Sequence, residues 1–276
     1  MNVYRNIANL KSMDMFYLDT RTEGRPVILC LHGRWGRAET WADLIDRYGE
    51  SYRVIAPDQR GHGLSSRPTN ASYTPREMAD DIVELLDFLK VDSAIIVGHS
   101  MGGAVAGHLA ALYPRYVQAV AILDKSAAGP AQAEILSEDK SQLVDPVTKD
   151  WPLPFATLKA AMKFIKEVSE SEIEYQYMMN SLTETIEGYQ MMFSTEAMAK
   201  SVANYSDWFS LLPHIQCLAL VIRSGSHEAV PDNEFGKMQS LLRNCMAYEM
   251  SDPDHNVHLA VKDEFYGYFE EFLSRV

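Results

Sequence analysis

Short apolar runs alternate with amphipathic segments through the first half of the chain. The runs are rich in β-branched residues, end in turn residues and are apolar almost throughout, as strands covered on both faces are. Residues 74–90 place their apolar side chains on one helical face, with Thr74 as N-cap and Pro75 behind it, and residues 101–114 predict a second helix. This alternation predicts a mostly parallel sheet flanked by helices. The predicted strands are 27–33, 53–58, 93–100 and 117–124.

The alternation stops after Asp124. Residues 126–208 read as several helices with no good strand, and the alternation then resumes up to the C-terminal region. We therefore predict an α/β core formed by residues 1–125 and 209–276, with 126–208 as a helical insertion. The later strands are predicted at 217–225 and 245–251, and the later helices near 232–242 and at 262–275.

Composition excludes several classes of protein. The chain has 276 residues, which fits one large domain, and its 47% hydrophobic and 23% charged content is typical of globular proteins. It carries 25 Lys and Arg against 38 Asp and Glu, a formal charge of −13. A surface so acidic repels phosphate backbones and anionic lipid, so we expect neither a nucleic-acid partner nor a membrane partner.

The cysteines and the first residues of the chain indicate the cellular compartment. Cys30, Cys217 and Cys245 are odd in number and show no metal-ligand spacing, so neither a disulfide framework nor a metal site is predicted. The sequence offers no signal-peptide pattern and no apolar run long enough for a membrane span. We expect a cytoplasmic protein.

A nucleophile motif stands where a predicted strand meets a predicted helix. Gly98-His99-Ser100-Met101-Gly102 matches G-x-S-x-G, and it follows an apolar strand and opens a helix of small residues. A serine on such a turn needs a strained backbone, and glycine on both sides lets neighbouring chain segments come close. The turn also aims a helix N-terminus at negative charge that develops beside the hydroxyl.

Three further segments extend the pattern. Residues 31–41 place His-Gly before a tryptophan, 58–66 read D-x-R-G-x-G-x-S, and 251–260 carry a histidine in a turn-rich stretch. With these motifs the chain resembles the α/β-hydrolase fold family nearly end to end. The resemblance implies an α/β-hydrolase fold, a helical cap at 126–208 that roofs the active site, and no cofactor.

The resemblance also implies a catalytic triad. A serine hydroxyl needs a base to take its proton, and His255, which follows a predicted strand, is the candidate. Relatives usually place the acid three residues after a glycine that ends a strand, which here is Glu228. Asp124, at the end of the strand after the nucleophile helix, is the alternative, and Asp232 is a third option at the opening of a helix. We expect Glu228.

The family places two oxyanion-hole amides after the nucleophile and after the His-Gly pair. Those positions are Met101 and Arg34, both acting through the main chain. The Arg34 side chain either faces the pocket, where it would favour an anionic substrate, or is exposed to solvent.

The substrate pocket is expected to contain residues from both parts of the chain. Trp35 follows the oxyanion position, and His99 flanks the nucleophile, although strand alternation should turn its ring away from the hydroxyl. In the insertion, Met178 and Met192 belong to a methionine- and aromatic-rich stretch that either lines an apolar pocket or forms the core of the cap.

Together these observations predict an esterase-like enzyme. We expect a serine hydrolase that cleaves a small carboxylic ester or a lactone through an acyl-enzyme. Serine at the nucleophile position argues against dehalogenase or epoxide hydrolase chemistry. A C–C bond hydrolase acting on a diketone and a ligand receptor with vestigial turnover stay open, as does a homodimer.

Overall fold

The fold is built on one large sheet and a small hairpin. The computed structural model describes residues 2–129 and 143–276. The strands are β1 Tyr4–Asn9, β2 Asp14–Asp19, β3 Val27–Leu31, β4 Arg53–Pro57, β5 Ala94–His99, β6 Val117–Leu123, β7 Leu182–Thr185, β8 Gly188–Met191, β9 Leu218–Arg223 and β10 Cys245–Glu249. The helices are α1 Ala42–Tyr48, α2 Pro75–Phe88, α3 Met101–Leu112, α4 Leu158–Val168, α5 Glu172–Met179, α6 Thr195–Ala203, α7 Asp232–Leu241 and α8 Lys262–Leu273.

The large sheet has eight strands in the order β1-β2-β4-β3-β5-β6-β9-β10. All pairs from β4 to β10 are parallel, whereas β2 runs antiparallel to both β1 and β4. The predicted mostly parallel sheet is therefore confirmed, although β1 and β2 were not among the predicted strands. Because the parallel strands end at one edge, the residues that follow β3, β5 and β6 lie side by side there.

Helices cover both faces of the sheet. α2 and α3 contribute to one apolar cluster, and α1 and α8 contribute to a second cluster that includes Phe265, Phe269 and Phe272. α2 begins where its cap predicts, since the Thr74 hydroxyl accepts a hydrogen bond from the Glu77 amide at 3.2 Å. α3 consists largely of small residues, and the indole of Trp208 lies against Gly107.

The inserted segment is not purely helical. It contains α4, α5 and α6, but β7 and β8 form an antiparallel hairpin between α5 and α6, so the expectation of helices without a strand is wrong. Both strands are only four residues long and mostly half-buried, so they leave no clear alternation in the sequence. Within the predicted cap, residues 130–142 lie outside the described residues.

Two features of the described chain concern membranes and thiols. In residues 2–129 and 143–276, no helix combines the length and apolar character that crossing a bilayer requires. The thiols of Cys30, Cys217 and Cys245 are free.

Four histidines are buried inside the fold. His32, His62, His99 and His258 expose at most 3% of their surface. Burial lowers the pKa of all four, to about 4 for His62 and to about 3 for His99, so they are neutral at pH 7. The neutral His32 ring joins two loops by acting as donor and acceptor. Its Nδ1 donates to the Gly33 carbonyl at 2.8 Å, and its Nε2 accepts from the Gln59 amide at 2.9 Å.

These histidines predict a loss of stability in mild acid. The unfolded chain takes up protons near the ordinary histidine pKa of 6.5, whereas the folded chain does not, so stability present at neutral pH is lost as the pH falls from about 6.5 towards about 4. Burial raises the pKa of Asp58 to about 6, which opposes this loss in part. We expect the free energy of unfolding, measured with urea, to be lower at about pH 5 than at about pH 7.5.

A pair of variants separates the histidines from other groups. His258→Phe preserves ring packing on Trp41, whose ring centroid lies 4.4 Å from that of His258, and removes one buried base. The slope of stability against pH should fall by about 1.4 kcal/mol per pH unit. The exposed His214, changed to Gln, should keep the wild-type slope. If the wild type, His258→Phe and His214→Gln showed equal slopes of stability against pH, His258 would not contribute to the loss of stability in acid.

Candidate active site

Ser100 lies on a strained turn between β5 and α3. Its φ of 51° and ψ of −116° are unfavourable for a residue with a side chain. A Cβ at Gly98 would overlap the Gly102 carbonyl, and one at Gly102 would overlap the Leu31 carbonyl. Both glycines of the motif are therefore needed, because three backbone segments meet here. The turn leaves the hydroxyl at the edge of the sheet.

His255 connects Ser100 to a carboxylate. Its Nε2 lies 2.9 Å from the Ser100 Oγ, and its Nδ1 lies 2.7 Å from the Asp124 Oδ2. The loop that carries His255 follows β10, and its backbone is tied to the nucleophile strand because the His99 Nε2 donates to the His255 carbonyl at 2.8 Å. The side chain of His255 is 45% exposed, whereas that of Asp124 is 1% exposed. One end of the hydrogen-bonded chain is thus open to a ligand.

The carboxylate beside His255 is Asp124, and the expectation of Glu228 is wrong. Asp124 directly follows Leu123, which pairs with His99 across β6 and β5, so strand pairing itself brings this position next to Ser100. Its Oδ1 accepts from the Ser224 amide at 2.8 Å, which fixes the carboxylate. Glu228 lies exposed in the loop after β9, and no described hydrogen bond joins it to His255.

The third acid considered is also placed elsewhere. Asp232 begins α7, as the sequence indicates, and its carboxylate forms an ion pair with Arg223 at 2.7 Å. It also lies 3.1 Å from the His227 Nδ1. An acid at the first helical turn is favoured by the helix dipole, so this role needs no catalytic explanation.

The two expected oxyanion positions flank Ser100. Met101 is the first residue of α3, so its amide belongs to the first turn, whose N–H groups have no partner within the helix. Arg34 follows Gly33, and a Cβ at Gly33 would lie only 3.2 Å from the Ser100 Cβ. The loop that carries Arg34 is therefore adjacent to the nucleophile.

A buried carboxylate holds this loop in place. Asp58 accepts from the Ala38 amide at 2.6 Å and from the Leu64 amide at 2.8 Å, so it joins the loop after β3 to the loop after β4. Arg60, two residues on, forms an ion pair with Asp81 of α2 at 2.5 Å. The segment 58–66 therefore supports the site and does not line it.

The Arg34 side chain is partly buried, and its charge is paired with a carboxylate. It forms an ion pair with Asp145 of the inserted segment at 2.6 Å, and its guanidinium stacks over the Trp35 ring at 4.6 Å from the centroid. The Asp145 side chain is fully buried. The positive charge expected to favour an anionic substrate is therefore largely neutralised by Asp145.

A cavity of about 750 Å³ opens at Ser100 and His255, between the sheet edge and the inserted segment. Trp35, His99 and Met178 line it. Met192 does not, because it is buried with its sulfur 2.8 Å from the Arg37 Nη1. The expectation for Met192 is therefore wrong.

α5 contributes two polar residues to the cavity that the sequence motifs do not predict. Glu174, Tyr177 and Met178 all line the cavity, and their spacing of three and four residues places them on one face of that helix. The Tyr177 hydroxyl lies beside Gly36 and Gly33, in the loop after β3. Helical spacing would have found Glu174, four residues before Met178, and then Tyr177, three residues after Glu174.

Comparisons with known proteins agree with this architecture. The family model described as alpha/beta hydrolase fold matches residues 26–260. A Haemophilus influenzae protein with a provisional esterase/lipase name is 24% identical over 261 residues, which cover 94% of this chain and 87% of that protein.

Two solved structures share the fold across nearly the whole chain. An E-2-(acetamidomethylene)succinate hydrolase superimposes with a TM-score of 0.83 at 22% identity, covering 99% of this chain and 100% of that chain. The enol-lactonase of Burkholderia xenovorans superimposes with a TM-score of 0.74 at 21% identity, covering 98% and 100%. With the family match spanning residues 26–260 and the eight-stranded sheet in place, this chain belongs to the alpha/beta hydrolase family.

Proposed function

We propose that the protein is a serine hydrolase that cleaves a small carboxylic ester or lactone through an acyl-enzyme. The observation that carries the proposal is the continuous hydrogen-bonded chain from Asp124 through His255 to Ser100, with distances of 2.7 and 2.9 Å. These distances fall within the range in which a base can take the proton of a hydroxyl. The chain ends at a cavity large enough for a small ester.

In the proposed reaction, the Ser100 Oγ attacks the carbonyl carbon while its proton passes to the His255 Nε2. Asp124 keeps the proton of the neutral imidazole on Nδ1 and stabilises the imidazolium that forms. The amides of Arg34 and Met101 donate to the oxyanion of the tetrahedral intermediate. His255 returns the proton to the leaving alcohol, and water then cleaves the acyl-enzyme by the same steps in reverse.

The known proteins support the class of reaction and leave the substrate to be found. One structural neighbour is named as an enol-lactonase, and the Haemophilus relative has an esterase/lipase name. A lactone is an internal ester, so one site can open either by the same attack on a carbonyl. This shared chemistry supports a carboxylic ester or lactone as the substrate class.

Removal of the nucleophile tests the reaction. Ser100→Ala should lower the turnover of p-nitrophenyl acetate by several orders of magnitude while the melting temperature stays within a few degrees, because only one half-buried hydroxyl is lost. The wild-type protein should release one equivalent of p-nitrophenol in a burst and then continue to turn over. A burst followed by no further product would favour a receptor with vestigial activity.

A pair of amide variants tests the choice of acid. Asp124→Asn leaves an oxygen for the Ser224 amide but presents an N–H to His255, which favours the wrong tautomer, so turnover should fall by about 10⁴. Glu228→Gln should remain at least about a hundredfold more active than Asp124→Asn, because the described hydrogen bond to the His255 Nδ1 comes from Asp124 and not from Glu228. Steady-state hydrolysis of p-nitrophenyl acetate measures both, and a larger loss in Glu228→Gln would contradict the assignment.

A further inference from the structure

The cavity above Ser100 carries an excess of negative charge. Apart from the residues of the hydrogen-bonded chain, four carboxylates line it that do not line the neighbouring cavity described below. None of the four forms an ion pair with another described residue, and the arginine that lines the cavity, Arg34, is paired with Asp145. The four carboxylates belong to Glu170, Glu174, Asp252 and Asp254.

Neutral donors hold the carboxylates of Glu174 and Asp254. The Glu174 Oε2 accepts from the Glu170 amide at 2.7 Å, and the Asp254 Oδ1 accepts from the Asn256 amide at 2.7 Å. Such bonds fix the side chains without neutralising them. Burial raises the pKa of Glu174, and the charges of Glu170 and Asp254 raise it further, so the negative groups act on one another across the cavity.

Buried polar atoms without partners point to a ligand in the same cavity. Tyr177 is 4% exposed; the Gly33 backbone interacts with its hydroxyl oxygen, and its O–H donates to no other described residue. His99 is 2% exposed, and its Nδ1 is likewise unpartnered, while its Nε2 is used by the His255 carbonyl. A Cβ at Gly33 would lie 3.1 Å from the Tyr177 Oη and 2.8 Å from the His99 Nδ1, so both atoms lie beside the nucleophile. A buried donor and a buried acceptor are costly unless a bound molecule pairs with them.

A second cavity of about 510 Å³ meets the first at Ser100 and His255. Its lining includes Tyr73, Met78 and Val202. It shares Glu228 with the first cavity, and the two charged residues that line only this cavity, Lys125 and Glu234, have opposite signs. An ester has two arms, one on each side of the scissile bond. The two cavities can take one arm each, and they differ in charge.

We propose that the substrate is an ester with an ammonium or other cationic group in one arm, which lies in the cavity lined by Glu170, Glu174, Asp252 and Asp254. The other arm lies in the second cavity and carries no charge. This proposal rests on the proposed ester hydrolysis for its reaction but not for its binding preference. It differs from the anionic substrate that one of the two alternatives for the Arg34 side chain would favour.

Two pairs of esters of equal shape test the preference. Acetylcholine and 3,3-dimethylbutyl acetate differ by one charge in the alcohol arm, and ethyl 6-aminohexanoate and ethyl heptanoate differ by one charge in the acyl arm. In one pair kcat/KM should be at least about tenfold higher for the cation, and this ratio should fall as salt rises, because ions screen the attraction. In the other pair the ratio should be near one. Ratios near one in both pairs, or equal preferences in both, would overturn the proposal.

Two variants that each remove one negative charge show whether the preference for the cation arises in the cavity. Glu174→Gln keeps an oxygen for the Glu170 amide and removes one charge from the cavity, so the preference for the cation should fall about threefold or more. Glu50→Gln removes one exposed charge outside the cavity and should leave the ratio unchanged. Equal ratios in the two variants would show that the overall charge of −13, and not the cavity, attracts the cation.

A binding measurement separates this proposal from the proposed reaction. Ser100→Ala should bind the same four esters without cleaving them, and calorimetry should show at least about tenfold tighter binding of the cationic member of one pair. Tighter binding without turnover in the wild-type protein would reject ester hydrolysis and support the cationic ligand. Turnover with no difference in affinity would support hydrolysis and reject the cationic ligand.

Discussion

The close approach of three backbone segments at the carboxyl edge of the sheet is the constraint on which the site depends. Gly98 and Gly102 are open to one another and to the end of β3 only because neither carries a side chain. This contact holds Ser100 at a φ of 51°, a strain that the surrounding sheet and α3 must compensate. Asp124, at the end of the adjacent strand, also has a positive φ, of 44°. Both ends of the hydrogen-bonded chain therefore depend on strand ends that cannot relax independently.

Sequence patterns predict the strands and turns that local residues determine. They do not predict a residue's role where that role depends on residues that are distant in sequence and close in space. The parallel strands are apolar on both faces and could be recognised, whereas β1 is mostly exposed and the hairpin strands β7 and β8 are four residues long. Ser100 and His255 are marked by their own motifs. The acid is not, because spacing from Gly225 cannot tell which strand end faces His255. Strand order puts β6 beside β5 and settles the position of Asp124.

Composition shows a similar limit for charge. A formal charge of −13 predicts repulsion of polyanions, but it does not show which part of the surface carries the carboxylates. Arg34 illustrates the difficulty, since the sequence offers a cation next to the oxyanion loop and the fold pairs it with Asp145 from a distant segment. The electrostatic potential in the cavity at Ser100 is then negative, because carboxylates from two loops and one helix line it. None of them belongs to a recognisable motif.

Tyr177 links the inserted segment to the loop after β3 that carries Arg34. Its hydroxyl occupies the space beside Gly36, where any side chain would collide with it, and it reaches Gly33 on the same loop. The Trp35 carbonyl, between those glycines, accepts a hydrogen bond from Ser181, just beyond α5. Because α5 also carries Glu174, a shift of this helix would move the Glu174 carboxylate and the loop that bears Arg34 together. α5 therefore supports both an acidic side chain of the cavity and the loop that bears Arg34.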